Sequence, residues 1–409
     1  MFISSQHPIL QKVENIMTEQ EASPTRQINI LRQALSSDKN KVAFLLGAGC
    51  PLSVRTKEKE PLIQDIVGLT KIVCETLKGK GIERIKNRIS VPKLKDPTIE
   101  DILSHVRLLI EVVGEDKINE LNKIELESLE RKICQSITEA VGKELPEQST
   151  SYHHLAAWIG GIPRVNPIEI FTPNYDLLIE SALESKNIPY FDGFIGSKKA
   201  FFDLHSIEQE KLPSRWVKLW KLHGSINWWN DQKGNVFRGH SKTENNKQMI
   251  YPSHLKYNQS RRMPYLAMQD RLSHFLSSGQ AVMITSGYSF ADEHLNEILT
   301  SRLSANPRAI CFALLYDTLD KYPIALECAK RVTNLSLISQ DKTYIGGEEK
   351  TWMETTKDEH YKDYIEEKEI KEAKDKIVKC NLGDFAKFGK FLINQIGSEE
   401  IERKQNSHD

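Results

Sequence analysis

The run Val42-Ala43-Phe44-Leu45-Leu46 stops abruptly at Gly47-Ala48-Gly49. Five apolar residues without polar alternation suit a strand covered on both faces, the habit of parallel sheets sandwiched between helices. Glycines placed directly after such a strand predict a tight turn at its carboxyl end. That one stretch steers the chain toward an α/β architecture.

Beyond Pro163 the same pattern recurs. The β-rich runs IEIFTPN, WVKLWKLHG, AVMITSGYSF, AICFALLYD and LSLISQD are separated by polar turns and helical segments, which predicts a doubly wound, Rossmann-like parallel sheet. The helical patterns between Pro61 and Leu145, among them PTIEDILSHVRLLIEVV with a capping box at Thr98 and Asp101, exceed one crossover and predict a helical insertion over about 61–145. Residues 1–40 read as an N-terminal helical arm in which Ile28, Ile30, Leu31 and Leu35 fall near one face. The main domain then spans 41–345. Residues 346–409 read as a charged helical tail whose run DEHYKDYIEEKEIKEAKDKIVK is a solvated face and whose end, DFAKFGKFLINQI, is a docking face.

Composition narrows the classes of partner. Lys plus Arg number 56 and Asp plus Glu number 56 in the 409 residues, so the surface as a whole is no polyanion-binding face. The basic stretch from Lys78 to Lys95 reads as a solvated part of the insertion, and no sequence-specific nucleic acid binding is expected. The six cysteines are scattered without a C-x-x-C pair, which predicts neither a disulfide framework nor a structural zinc site. No run approaches the roughly 18 apolar residues of a spanning helix, so no membrane partner is expected and the chain reads as cytoplasmic.

Four strands end in polar clusters: Gly47-Ala48-Gly49, Thr172-Pro173-Asn174-Tyr175-Asp176, His223-Gly224-Ser225, and Gly287-Tyr288-Ser289 with Asp292. Ligands of open parallel sheets bind outside the carboxyl ends of the strands, so these clusters are expected to converge on one crevice. Taken singly, each has a plainer reading. The glycine turn lacks the third glycine of G-x-G-x-x-G, because Leu52 stands there, and no Gly-Lys-Ser/Thr follows, which excludes an NTPase P-loop. Asn174, Asp176, Ser289 and Asp292 can serve as helix caps, and His223 as a core histidine.

The ordered set LLGAG, FTPNYD, KLHGSINW and SGYSFAD resembles the sirtuin-like NAD-binding domain over roughly 41–345, and in particular its bacterial antiphage defence branch, which hydrolyses NAD. The resemblance implies that Gly47, Ala48 and Gly49 line the pyrophosphate, that Asn174 positions water and ribose with Asp176 as its supporting acid, and that His223 is the catalytic histidine. Gly287, Tyr288 and Ser289 then contact the ribose side, and Thr172 and Asp292 join the nucleotide-binding set. The four-cysteine module that follows His-Gly in deacylating sirtuins is missing from SINWWNDQKGNVFRGHSKTENNKQMIYPSH, so no metal is expected.

Cleavage of the nicotinamide–ribose bond passes through a cation at the ribose carbon and needs a held water and a base, for which Asn174 and neutral His223 are suited. The expected activity is NAD hydrolysis to nicotinamide and ADP-ribose, with NAD as substrate. A zinc-free protein deacylase and a non-catalytic nucleotide-binding scaffold are the alternatives. The resemblance further implies a homo-oligomer working with a HerA-type hexameric ATPase, with an Argonaute as second choice of partner. Arm, insertion and tail each carry an apolar stripe for such an assembly.

Overall fold

The computed structural model describes residues 21–406 apart from 57, 80, 90–95, 119, 210, 240–246, 251–262, 354–358 and 370–375. Its strands, in chain order, are β1 (Glu21–Ala22), β2 (Lys41–Leu46), β3 (Ile168–Thr172), β4 (Tyr190–Phe191), β5 (Phe194–Ile195), β6 (Ala200–Phe202), β7 (Val217–Lys221), β8 (Gly224–Asn230), β9 (Val236–Arg238), β10 (Lys247–Ile250), β11 (Ala281–Ser286), β12 (Ile310–Leu314), β13 (Leu335–Ile338), β14 (Lys342–Ile345), β15 (Glu348–Trp352), β16 (Ile365–Glu369) and β17 (Lys376–Cys380). The main sheet has the order β1-β15-β14-β13-β12-β11-β2-β3-β7-β4. All neighbours from β13 through β11, β2 and β3 to β4 run parallel. From β2 the chain winds outward through β3 and β7 on one side and through β11, β12 and β13 on the other, so the topological switch point lies at β2.

The helices are α1 (Pro24–Ser36), α2 (Gly49–Leu52), α3 (Ile66–Thr76), α4 (Ile82–Lys86), α5 (Ile99–Val112), α6 (Lys123–Val141), α7 (Ser151–Gly161), α8 (Leu178–Ser185), α9 (Leu204–Gln209), α10 (Tyr265–Ser277), α11 (Glu293–Ala305), α12 (Pro323–Arg331) and α13 (Phe385–Asn406). Side chains of the central strands alternate between two cores, as a period of two requires. Val42, Phe44 and Leu46 face one core with Ile28 and Leu31 of α1, Trp158 of α7 and Phe388 of α13. Ala43 and Leu45 face the other with Leu272 of α10, Leu299 of α11 and Ala329 of α12. Helices on both faces make the sheet doubly wound, as its continuous apolar strands predict.

Between β2 and β3 the chain forms α3 to α6, and Thr98 and Asp101 close the predicted capping box at the start of α5. Strands β8, β9 and β10 follow His223 and join β6 and β5 in a five-stranded antiparallel sheet. Its aromatic contacts include Phe194 with Trp228 at 5.0 Å and Phe194 with Phe202 at 5.7 Å between ring centroids. Among the described residues no group of three or more His, Cys, Asp or Glu side chains is arranged to hold a metal ion, and no helix is long and apolar enough to cross a membrane.

The tail differs from the expectation of a charged helix. Glu348–Trp352 adds β15 to the main sheet, and β16 and β17 form an antiparallel pair in which Ile365 lies opposite Cys380 and Glu366 opposite Lys379. Ile365, Val378 and Cys380 are buried, so one apolar face and a cross-strand pair of opposite charges outweigh the helix propensity of Glu and Lys. Only from Phe385 does the expected helix, α13, appear. Its Phe385, Phe388 and Phe391, like Ile28, Leu31 and Leu35 of α1, are buried in this chain's own core rather than presented to a second subunit, whereas Ile30 is exposed. Residues 1–20 of the arm and part of the basic stretch (80 and 90–95) lie outside the described residues.

Candidate active site

The four polar clusters lie on β11, β2, β3 and β7, which are neighbours in that order. Their register aligns the ends: Leu46 pairs with Ser286, and Thr172 with Lys221. Asn174 and His223 therefore stand two residues past one paired level on adjacent strands. Gly47 and Gly287 stand one residue past theirs.

The glycine turn is locked by close approach. A Cβ on Gly47 would lie 2.3 Å from the Gly287 carbonyl oxygen, and one on Gly287 would lie 2.4 Å from the Cys50 nitrogen. Gly47 N–H donates to Ser286 O, Gly49 N–H to Gly287 O and Cys50 N–H to Gly47 O, at 2.9, 2.8 and 3.0 Å. The turn thus shapes the crevice by its bareness, while these three amides are engaged inside it. The Cys50 thiol bonds Ser286 O at 3.1 Å, and burial pushes its pKa up, which disqualifies it as a nucleophile at neutral pH.

Beside this turn opens a cavity of about 430 Å3 lined by Ala48, Gly49, Gly287, Tyr288 and Ser289 of the expected set. Further walls come from Ser53 and Arg55 before the insertion, Asp65 at the start of α3, Tyr316 and Tyr322 after β12, and Gly383 to Ala386 at the start of α13. Arg55 and the wall from α13 were not anticipated. Nothing local marks them, since they reach the cavity only through the packing of distant segments.

Of the expected site residues, Gly47, Thr172, Asn174, Asp176, His223 and Asp292 are not in the wall of this cavity. The Thr172 hydroxyl donates to Leu46 O at 2.7 Å and accepts from Asn174 N–H at 3.1 Å, which ties β3 to β2 and shapes the turn. Asp176 is buried and its Oδ1 accepts from Leu178 N–H at 3.0 Å at the start of α8. Desolvation raises its pKa, and the charge of Lys221 pulls it back. Asn174 Nδ2 donates to Gly47 O at 3.1 Å, which leaves Oδ1 of that amide as the acceptor for a bound molecule.

His223 lies in the turn after β7, and Gly224 following it adopts φ +92°, the left-handed region that lets the chain leave the main sheet for β8. His223 Nε2 lies 2.8 Å from Asp292 Oδ2, a contact that becomes an ion pair when the imidazole takes a proton. Asp292 is also the N-cap of α11, its Oδ1 accepting from His294 N–H and Leu295 N–H at 3.0 and 3.2 Å. One carboxylate therefore fixes both the helix after β11 and the imidazole after β7. The turn between them holds Phe290 at φ +59°, an uncommon conformation for a bulky residue. Asn296 secures it, donating to Phe290 O at 2.7 Å and accepting from the Tyr288 hydroxyl at 2.8 Å.

No curated protein matches the chain in sequence. Among solved structures, a Sir2 homologue in complex with NAD is 14% identical, covers 76% of this chain and 87% of that chain, and gives a TM-score of 0.39. A second Sir2 enzyme is 10% identical over 77% of this chain and 92% of that chain with a TM-score of 0.38, and a Sir2 homologue with ADP-ribose is 14% identical over 72% and 87% with 0.34. Residues 168–331, which carry Asn174, Asp176, His223, Gly287 and Asp292, match the model of a SIR2-like domain.

Proposed function

We propose that the chain is an NAD glycohydrolase that cleaves the nicotinamide–ribose bond to give nicotinamide and ADP-ribose. The observation that carries this reading is the alignment of Asn174 and His223 just past the ends of the adjacent strands β3 and β7, with His223 held against Asp292, within the segment that matches a SIR2-like domain.

The C1′–N bond breaks with its electron pair passing to the nicotinamide ring nitrogen, and the ribose carbon becomes cationic. Water adds to C1′ and gives up a proton. Asn174 Oδ1 accepts from that water or from a ribose hydroxyl, and His223 takes the proton, directly or through the hydroxyl. The Asp292 carboxylate stabilises the imidazolium as it forms. Ala48, Gly287 and Ser289 face the nucleotide, and Arg55 supplies a positive charge to the diphosphate from the same cavity. Asp176 and Thr172 support the turn rather than touch the ligand.

Purified protein mixed with NAD should release nicotinamide, and His223→Ala and Asn174→Ala should each remove the activity while keeping the fold. Loss of several kcal/mol of transition-state stabilisation is expected for either. Wild-type turnover in both variants refutes the assignment. Acetyl release from an acetyl-lysine peptide, with nicotinamide release dependent on that peptide, would replace it with the deacylase reading. NAD binding without turnover would leave a scaffold.

The biological setting rests on the motif resemblance: an NAD-depleting antiphage enzyme, self-assembled and working with a HerA-type ATPase. Of the three apolar stripes expected to serve assembly, the helical insertion keeps exposed residues, among them Val67, Leu108, Val112 and Ile124. Light scattering on the isolated protein and co-purification with a co-expressed ATPase test the two halves of this setting.

A further inference from the structure

Beneath the turn that carries Asn174 lies a charged cluster that the hydrolysis scheme does not use. Lys221, the last residue of β7, is 1% exposed. Its Nζ donates to the backbone carbonyl of Asp176 and lies 3.2 Å from Glu180 Oε1 on α8. Glu180 Oε2 is buried without a hydrogen-bond partner among the described residues. One buried ammonium is thus paired with the Glu180 carboxylate and bonded to the Asp176 backbone carbonyl, and its charge also acts on the buried Asp176 carboxyl. Burial raises the pKa of both Asp176 and Glu180, and the charge of Lys221 opposes that rise in each.

A buried ion pair is weak evidence for stability, because desolvation offsets most of the attraction. The geometry suggests another role. The Asn174 turn has no regular secondary structure and is held by tethers from three directions. Its start is fixed by Thr172 Oγ1 on Asn174 N–H, its middle by Ile226 N–H on Tyr175 O at 3.1 Å, and its end by Lys221 on Asp176 O. Lys221 pairs with Thr172 in the sheet register, so its side chain reaches the far end of the turn from the strand position beside the turn's beginning.

We infer that Lys221 is a positioning residue: by holding the Asp176 carbonyl, with Glu180 as its counter-charge, it fixes the turn so that the Asn174 amide faces the cleaved bond. This rests on the hydrolase reading. A positioning residue acts on the reacting geometry, so it should alter kcat more than substrate affinity.

Lys221→Met alone leaves the buried Glu180 carboxylate without its counter-charge and is expected to unfold readily, so the working variant is Lys221→Met/Glu180→Gln, compared with Glu180→Gln. Two readouts are taken: kcat and KM for nicotinamide release, and hydrogen exchange of the Asn174 and Leu178 amides. The expected result is a folded double variant with KM within threefold of Glu180→Gln, kcat at least tenfold lower, and faster exchange at both amides while β3 amides stay protected. Equal kcat in the two variants, or a kcat loss no larger than the loss of folded protein, overturns the inference. If the wild-type protein releases no nicotinamide, the hydrolase reading falls and hydrogen exchange still judges the anchor: unchanged exchange at Asn174 and Leu178 rejects it.

Discussion

Replacing Asp292 by Asn separates the two jobs of that carboxylate. Asn caps helices as well as Asp does, and the oxygen that accepts from His294 and Leu295 N–H survives the change, so the stability of α11 should shift by less than about 1 kcal/mol. The other oxygen, 2.8 Å from His223 Nε2, becomes an amide nitrogen or a neutral oxygen. With both side chains about nine-tenths buried, at 11% and 9% exposure, solvent screens the contact poorly. Two unit charges at this separation interact by about 6 kcal/mol at an effective dielectric constant near 20, an upper bound before relaxation. A loss of about 2–4 kcal/mol in the step that charges the imidazole is then expected, a fall in kcat of about 30- to 900-fold. The assay is nicotinamide release at saturating NAD, beside a thermal melt. A kcat within threefold of wild type, with an unchanged melt, would show that Asp292 does not act through His223.

Gly47→Ala should cost about 1–3 kcal/mol and abolish NAD binding, because its Cβ meets the Gly287 carbonyl and the Tyr288 Cα, at 2.3 and 2.6 Å, and backbone cannot swing aside. Calorimetric titration with NAD checks it, and wild-type affinity contradicts it. Phe388→Ala removes a ring packed on Phe44 at 6.2 Å and Phe391 at 6.1 Å, for an expected loss of about 3–5 kcal/mol in chemical denaturation. A loss below 1 kcal/mol would mean that α13 is not part of the core. His153 Nδ1 accepts from Thr150 N–H at 3.2 Å to close the cap of α7, which only the neutral ring can do. Desolvation lowers its pKa, so the stability it contributes is present above the unfolded value near 6.5 and lost as pH falls through that range. The drop in melting temperature from pH 7.5 to 5.5 should be smaller in His153→Gln, where Gln keeps the capping box; an equal drop would assign the pH response elsewhere.

Much of the fold is legible along the chain because it is encoded by near neighbours. The apolar run 42–46 and the glycines after it announce a buried strand and its turn, and Thr98 with Asp101 announces the start of α5. The polar residues after β2, β3, β7 and β11 announce where a crevice must lie, since a parallel sheet brings equivalent strand ends together. What only the tertiary structure decided are the relations between distant segments. Local pattern places Asp292 at a helix start but not against His223, and shows Lys221 as one of two lysines in an otherwise apolar strand but not its contact with Asp176 and Glu180. The segments Ile365–Glu369 and Lys376–Cys380 have the composition of a helix and the structure of paired antiparallel strands, because burying Ile365, Val378 and Cys380 on one face outweighs a propensity of a few tenths of a kcal/mol per residue. The stripes of α1 and α13 are equally apolar in sequence whether they meet a partner or their own sheet. Which surface they cover depends on where the rest of the chain places its strands, and here it places β2 beneath them.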